Sequence, residues 1–225
     1  MISIAIDGPS GAGKSTAAKM LAARLHFHYV DTGALYRALG YVLSRAGVNL
    51  DEEAPVRAAI QPLTVRLVFN EQGQRVLVNE EDVTPFLRTA QAGENASRVS
   101  VHASVRDKLL EIQRRAAREY NVIMDGRDIG TQVLPQADLK VFITASVQER
   151  ARRRYHELQE NQTLSQSLEE IIADIQKRDE RDRNRAIAPL RKADDATKLD
   201  TTHMNLEQVV QALCDLVAER SLNRS

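Results

Sequence analysis

The chain has 225 residues, of which 43% are hydrophobic, enough for one large domain or for a core with an insertion. Its 31 acidic residues balance 31 basic residues, so no global basic charge favours nucleic acid or an anionic membrane as a partner. The single cysteine, Cys214, excludes a disulfide framework and a cysteine metal site. The chain starts without a charged leader, and no apolar run approaches the roughly 18 residues of a membrane-spanning helix. We therefore expect a soluble, cytoplasmic protein that binds neither nucleic acid nor membranes. We also expect a monomer, although composition does not determine the oligomeric state.

Strand and helix patterns alternate over residues 2–47. ISIAID predicts a buried strand and KSTAAKMLAARLH a helix; HYVD then predicts a short strand, and TGALYRALGYVLSRAG an amphipathic helix. Strand, helix, strand, helix is the order of an α/β protein with a parallel sheet. Residues 61–85 differ, because TVRLVF and QRVLVN alternate with a period of two around NEQG. This segment predicts a hairpin in a small β-rich insertion.

The second half of the chain returns to the α/β order. Helical spacing is found over 86–119, strands at NVIMD, LKVFIT and TKLDTT, and helices at ASVQERARRRYHELQ, SLEEIIADIQKRDERDRNR and NLEQVVQALCDLVAERS. Ser167 and Glu170 have the spacing of a capping box, and Asn205 is the predicted cap of the last helix. The sequence therefore predicts a doubly wound core with one small excursion near residue 70.

Residues 8–15 read GPSGAGKS, between the first strand and the first helix. Glycines allow a tight turn in which several backbone N–H groups point at one anion. In this motif the lysine, Lys14, reaches the outer phosphates, and the hydroxyl of Ser15 takes a magnesium ion. The loop therefore predicts binding of a nucleoside triphosphate with Mg²⁺.

Acidic residues stand at the predicted carboxyl ends of the strands: Asp7, Asp31, the DGRD segment at 125–128, and Asp200. Ligands of open α/β sheets bind beyond these ends, so the positions predict one pocket. Asp125 follows a hydrophobic run, the pattern of a carboxylate that holds magnesium directly or through water. A helix cap or a loop turn is the alternative role for each aspartate.

Arginine makes up 24 of the 31 basic residues, and its planar fork suits a site with several phosphates. Arg150, Arg152, Arg153 and Arg154 share one predicted helix. On the next helix, Arg178, Asp182 and Arg185 are spaced i, i+4 and i+7, which predicts one face that binds a phosphate and a base. Pairing with nearby acids on a solvated face is the alternative for these arginines.

Five segments resemble the bacterial cytidylate kinases, a family of P-loop nucleoside monophosphate kinases. In order, they are IDGPSGAGKST, DTGALYR, ENASRV, DGRDIGT and RDERDRNRAIAPL. The resemblance covers nearly the whole chain, and it departs from the family pattern at Thr32, where serine is commoner. It implies a three-layer P-loop kinase with a parallel central sheet, a core at 1–60 and 86–225, a helical lid at about 146–163 that closes its arginines over the phosphates, and a β-rich monophosphate-binding insertion at 61–85.

The resemblance also implies the site residues. The ATP-binding residues would be Gly8, Pro9, Ser10, Gly11, Ala12, Gly13, Lys14, Ser15 and Thr16. The acceptor nucleotide would be surrounded by Ser10, Thr32, Arg37, Ser97, Arg106, Asp125, Arg127, Asp128, Arg178, Asp182 and Arg185. The catalytic residues would be Lys14, Asp125, Arg127, Asp128 and Arg154, with Ser15 and Asp125 as metal ligands. The implied reaction is phosphorylation of CMP and dCMP by MgATP, in pyrimidine nucleotide metabolism.

Three other interpretations remain open. TKLD at 197–200 is one residue from the guanine-reading N-K-x-D of a GTP-driven switch, although the chain lacks the D-x-x-G segment before it. The arginine-rich helices could form a nucleic-acid-binding module, but zero net charge and 4% aromatic residues oppose this. A kinase of the same fold could act on UMP, shikimate or another small molecule, and only the acceptor would differ.

Overall fold

The computed structural model describes residues 1–222, which form eight strands and eight α-helices. The strands are β1 (Ser3–Asp7), β2 (His28–Asp31), β3 (Val65–Asn70), β4 (Gly73–Val78), β5 (Glu81–Asp82), β6 (Val122–Gly126), β7 (Leu139–Thr144) and β8 (Thr197–Asp200). The helices are α1 (Lys14–Leu25), α2 (Thr32–Arg45), α3 (Glu53–Ile60), α4 (Ala90–Val99), α5 (Ala103–Glu119), α6 (Val147–Glu160), α7 (Leu168–Arg183) and α8 (Leu206–Leu222). A short 3₁₀ turn covers Thr84–Phe86 and a π-helical turn covers Ile129–Val133. No helix in residues 1–222 is both long and apolar enough to cross a membrane.

The central sheet has five parallel strands in the order β2-β6-β1-β7-β8. Asp31 of β2 lies in register with Asp125 of β6, and Asp7 of β1 lies in register with Gly126. The carboxyl ends of these strands therefore meet at one edge of the sheet, as the sequence predicts. Ligands of such sheets bind at this edge.

Successive residues of β1 point to opposite faces of the sheet. Ile4 and Ile6 pack with Leu21 of α1 and Val210 of α8, whereas Ala5 packs on the other face with a group that includes Met124. Because both faces are covered, the strand is apolar at every position before Asp7 except its first. The helix-sheet-helix layering of the predicted three-layer fold is confirmed.

The second sheet is antiparallel, with the order β3-β4-β5. Val65 pairs with Val78 and Asn70 pairs with Gly73, so the hairpin predicted around NEQG is present. Val76 and Val78 pack in a cluster with Leu39 of α2. The sheet falls within the predicted insertion, while the division of the chain at residues 61 and 85 remains a prediction.

The predicted helix caps are confirmed, but α7 is shorter than the sequence predicts. Ser167 and Glu170 form a complete capping box at the start of α7, and Asn205 accepts a hydrogen bond of 2.9 Å from the Gln208 N–H. The prediction that Arg185 continues the helical face of α7 is wrong, because the helix ends at Arg183. Helix α3 was not predicted.

Candidate active site

A pocket of about 1040 Å³ lies at the carboxyl ends of β1, β2 and β6. It brings together most of the predicted site residues: Ser10, Gly11, Ala12, Gly13, Lys14, Ser15, Thr16, Thr32, Arg37, Ser97, Arg106, Asp125, Arg127, Asp128, Arg154, Arg178, Asp182 and Arg185. Gly8 and Pro9 belong to the loop but are not among the lining residues of the pocket. One end of the pocket is a glycine loop, and the other is a cluster of arginines.

The glycine loop has a backbone that only glycine adopts easily. Gly13, which precedes α1, has a φ of 83°, and Gly8 has a φ of 149°. A Cβ atom on Gly8 would lie 1.9 Å from the Ile143 carbonyl oxygen. No side chain caps the N-terminus of α1, and its first turn holds no acidic residue. The free N–H groups and the helix dipole therefore favour an anion at this end of the helix.

Lys14 is buried at the base of the loop, with 5% of its surface exposed. Its Nζ donates a hydrogen bond of 2.6 Å to the Pro9 carbonyl. Burial, followed by repulsion from Arg127, lowers the pKa of Lys14 to about 7. A phosphate beside the Nζ atom would favour the charged ammonium, so the site suits an anionic ligand.

Asp125 is the centre of a hydrogen-bonded group at the end of β6. Its carboxylate accepts a bond of 2.6 Å from the Ser15 hydroxyl and one of 2.8 Å from the Tyr29 hydroxyl. Burial, and then the charge of Asp31, raises the pKa of Asp125. Thr32 donates to the Asp125 backbone carbonyl at 2.8 Å, so its hydroxyl faces the backbone of β6. A buried carboxylate next to a serine hydroxyl offers the oxygen ligands that Mg²⁺ prefers, and the residues therefore fit the metal.

Tyr29 was missed by the sequence prediction. Burial raises its pKa, so the phenol remains a hydrogen-bond donor to Asp125. Its position on β2, beside β6, could have been inferred only if the order of the strands had been known.

Asp7 and Asp200 are at strand ends but have other roles. Asp7 accepts hydrogen bonds from the backbone N–H groups of Ile129 at 2.8 Å and Gly130 at 2.7 Å. It therefore fixes the backbone that follows DGRD, and burial raises its pKa to about 6. Asp200 is exposed, and its carboxylate accepts hydrogen bonds from the N–H and the hydroxyl of Thr202. Asp200 therefore has the alternative role named above, that of stabilising a loop turn. The prediction that all the strand-end aspartates share one pocket is wrong for these two residues.

Asp182 holds two arginines at the far end of the pocket. Arg127 donates to its carboxylate at 2.8 Å, and Arg185 donates to the other carboxylate oxygen. Burial opposes ionisation of Asp182, but the charges of Arg127 and Arg185 outweigh it and lower its pKa. Arg185 reaches Asp182 from the loop after α7, where the Leu190 N–H bonds the Asp182 carbonyl at 2.8 Å and turns the chain back.

The arginine cluster has more hydrogen-bond donors than the protein satisfies. Among the described residues, the Nε atoms of Arg37, Arg178 and Arg185 are buried without a hydrogen-bond partner. Burial, and then repulsion from Arg127, lowers the pKa of Arg178 to about 10. Buried donors without partners are costly, so the cluster fits a ligand that supplies oxygen acceptors and negative charge.

Arg37 and Arg106 are each held by an aspartate. Arg37 lies 2.6 Å from Asp31, and Arg106 donates to Asp128 and, at 3.1 Å, to the Ser100 carbonyl. Both aspartates hold the guanidinium groups at the wall of the pocket.

The arginines of the predicted lid helix have three different environments. Arg153 and Arg154 line the pocket, and Arg154 pairs with Glu157 at 2.8 Å. Arg150 faces the interior instead, with a side chain only 2% exposed. Arg150 therefore cannot be one of the arginines that close over the phosphates, while closure by Arg154 remains a prediction. Arg152 is exposed and does not line the pocket, although its partner Glu149 does.

Ser97 is buried on α4, and its hydroxyl accepts a hydrogen bond of 2.9 Å from Arg181. Arg181 comes from α7, so this contact links the two helices across the site. The sequence prediction missed it, because the two residues are 84 positions apart.

The fold and the glycine loop define a P-loop kinase. The sequence model of the cytidylate kinase family matches residues 4–219. A cytidylate kinase of Halalkalibacterium halodurans is 49% identical over 220 residues, which cover 97% of this chain and 98% of that protein. One of an Exiguobacterium species is 49% identical over 218 residues, 97% of each chain. An uncharacterized protein of Eubacterium ventriosum has a similar solved structure, with a TM-score of 0.54, 11% identity, and coverage of 97% and 99% of the two chains. The chain belongs to the cytidylate kinase family.

Proposed function

We propose that this protein transfers the γ-phosphoryl group of MgATP to the 5′-phosphate of CMP and dCMP. The observation that supports this most is the arrangement of one pocket: a lysine-bearing phosphate loop at one end, and arginines grouped around an ionised aspartate at the other. The two ends suit a phosphate donor and a phosphorylated pyrimidine. Membership of the family gives the acceptor.

Residues 8–16 would bind the phosphates of ATP through the backbone N–H groups of the loop. Lys14 would exchange its bond to the Pro9 carbonyl for one to the γ-phosphate. Ser15 and Asp125 would hold Mg²⁺, and Asp125 would do so directly or through water. The metal would neutralise charge on the donor oxygens.

The cytosine base would be recognised by Asp182, Arg178 and Ser97. An ionised carboxylate only accepts hydrogen bonds, so Asp182 suits the exocyclic amine of cytosine and repels the oxygen of uracil at the same position. Ser10 and Arg185 line the same pocket and would contact the acceptor nucleotide.

The acceptor phosphate would be bound by Arg37, Arg106 and Arg127. Its oxygen would attack the γ-phosphorus in line as the bond to the bridging oxygen of ADP breaks. The acceptor phosphate is already ionised, so the reaction needs no strong general base. Arg127 would stabilise charge on the transferred group, and Asp128 would keep Arg106 in place.

The lid, at residues of about 146–163, would bring Arg154 over the phosphates. Closure excludes water, which would otherwise compete as the acceptor and hydrolyse ATP. Within residues 1–222, Arg154 pairs only with Glu157, through an exposed salt bridge, so it can move without breaking a buried contact. The protein would act in the cytoplasm as a monomer.

A coupled assay of ADP release, with ATP and a panel of monophosphates, tests the proposal. CMP and dCMP should give the highest kcat/KM, ahead of UMP, AMP and GMP. Shikimate and gluconate, acceptors of other kinases with this fold, should give no more ADP than buffer. If CMP and dCMP also give only the buffer rate, the proposed function is refuted.

A further inference from the structure

The small sheet contacts the acceptor side of the pocket through Gln74 of β4. The Gln74 Nε2 donates a hydrogen bond of 3.0 Å to the Asp31 carbonyl, and its Oε1 accepts one of 2.7 Å from the Asp31 N–H. A primary amide carries both donors and an acceptor, so it can pair with a backbone residue as a neighbouring strand would.

This contact provides a hydrogen-bonding partner at one edge of the central sheet. Strand β2 is an edge strand, next to β6, and no second strand of the described residues 1–222 pairs with its outer side. Unpaired N–H and C=O groups of an edge strand need another partner when water is excluded. Gln74 supplies this partner at Asp31, the last residue of β2. At His28, the first residue of β2, the ring of Phe69 packs on the imidazole, with 4.4 Å between the ring centroids.

Asp31 in turn organises the acceptor side of the pocket. Its carboxylate accepts a hydrogen bond of 3.0 Å from the Ala34 N–H at the start of α2, and it pairs with Arg37 at 2.6 Å. The next residue, Thr32, bonds the backbone of β6. A shift of the Asp31 backbone would therefore move the carboxylate that holds Arg37.

We propose that Gln74 is a positioning residue for the acceptor phosphate: it fixes the Asp31 backbone, and Asp31 holds Arg37 in the pocket. This inference rests on the proposed function, in which Arg37 binds the phosphate of CMP. The effect should be confined to the acceptor, because the donor loop follows β1, and β6 separates β1 from β2 in the sheet.

The hairpin offers a matched control in Gln72, an exposed glutamine whose side chain bonds Arg75. Gln74→Met keeps the length of the side chain but removes both hydrogen bonds, and Gln74→Glu removes the donor to the Asp31 carbonyl. Both variants should raise the KM for CMP about tenfold, equivalent to ~1.4 kcal/mol, and leave the KM for ATP within about twofold of the wild type. Gln72→Met should change neither constant.

Amide hydrogen exchange gives a second readout that does not depend on the acceptor. Exchange of the Asp31 N–H should be faster in Gln74→Met than in Gln72→Met, because its acceptor is lost. An unchanged exchange rate, an unchanged KM for CMP, or an equal rise in the KM values for CMP and ATP would overturn the positioning role. A wild-type protein that does not phosphorylate CMP would instead refute the proposed function, and the exchange rates would still show whether Gln74 fixes the Asp31 backbone.

Discussion

Arg150 and Asp179 form a buried ion pair that joins α6, α7 and the phosphate loop. Their side chains are 2% and 4% exposed, and Arg150 contacts the Asp179 carboxylate at 2.7 and 3.1 Å. The guanidinium also donates to the carbonyls of Ala145 and Ser10, each at 3.0 Å. Asp179→Leu would leave this cation buried with its carbonyl partners but without the opposite charge.

The cost of that change follows from burial. Removal of one partner of a buried ion pair typically costs about 3–5 kcal/mol. For a chain of this size each kcal/mol lowers the melting temperature by about 2–4 °C, so we expect a decrease of roughly 6–20 °C. The double variant Arg150→Met/Asp179→Leu should recover most of this stability, since apolar replacement of both charges is often neutral.

Although its stability should recover, the double variant should bind ATP more weakly than the wild type. Arg150 holds the Ser10 carbonyl, and a Cβ on Gly11 would lie only 3.2 Å from the Arg150 Cβ, so the loop packs directly on this side chain. Without the donor to Ser10, we expect a KM for ATP raised several-fold in a folded protein. Thermal and urea unfolding give the stability, and steady-state kinetics give the KM.

The exposed neighbour Arg152, which pairs with Glu149, is the matched control. The free energy of unfolding of Arg152→Met should stay within about 0.5 kcal/mol of the wild-type value, because exposed ion pairs contribute little to stability. The reasoning is refuted if Asp179→Leu is as stable as Arg152→Met, or if the double variant is no more stable than Asp179→Leu.

Three further substitutions test the site. Lys14→Ala should lower kcat on the order of 10²-fold or more through loss of a phosphate donor, with the circular-dichroism spectrum unchanged; near-normal turnover would contradict its role. Asp182→Asn should reduce the ratio of kcat/KM for CMP over UMP at least about tenfold, because an amide can also donate to uracil; an unchanged ratio would exclude base recognition by Asp182. Tyr29→Phe removes a 2.8 Å bond to Asp125 and should raise the Mg²⁺ concentration needed for half-maximal ATP binding, measured by calorimetry; an identical Mg²⁺ dependence would assign Tyr29 to packing alone.

The sequence predicts the sheet and the phosphate loop well because both depend on local patterns. The apolar run before Asp7 and the glycines of residues 8–13 specify a buried strand and a turn without knowledge of distant residues. The capping box of Ser167 and Glu170 is local in the same way.

Predictions failed where the outcome depends on distant partners. Arg150 looks like its neighbours in the sequence, and its buried partners include Asp179, 29 residues later, and the Ser10 carbonyl, 140 residues earlier. The pairing of Gln74 with Asp31 joins two sheets across 43 residues, and no spacing rule indicates it. The spacing of Arg185 fits the helix pattern, whereas the chain leaves the helix after Arg183.

Product analysis tests the central claim most directly. The protein is incubated with ATP, Mg²⁺ and CMP, and ADP and CDP are quantified by chromatography over time. We predict that ADP and CDP form in equal amounts, with little ADP when CMP is omitted. ADP that accumulates at the same rate without CMP, and without CDP, would contradict transfer to the cytidine nucleotide.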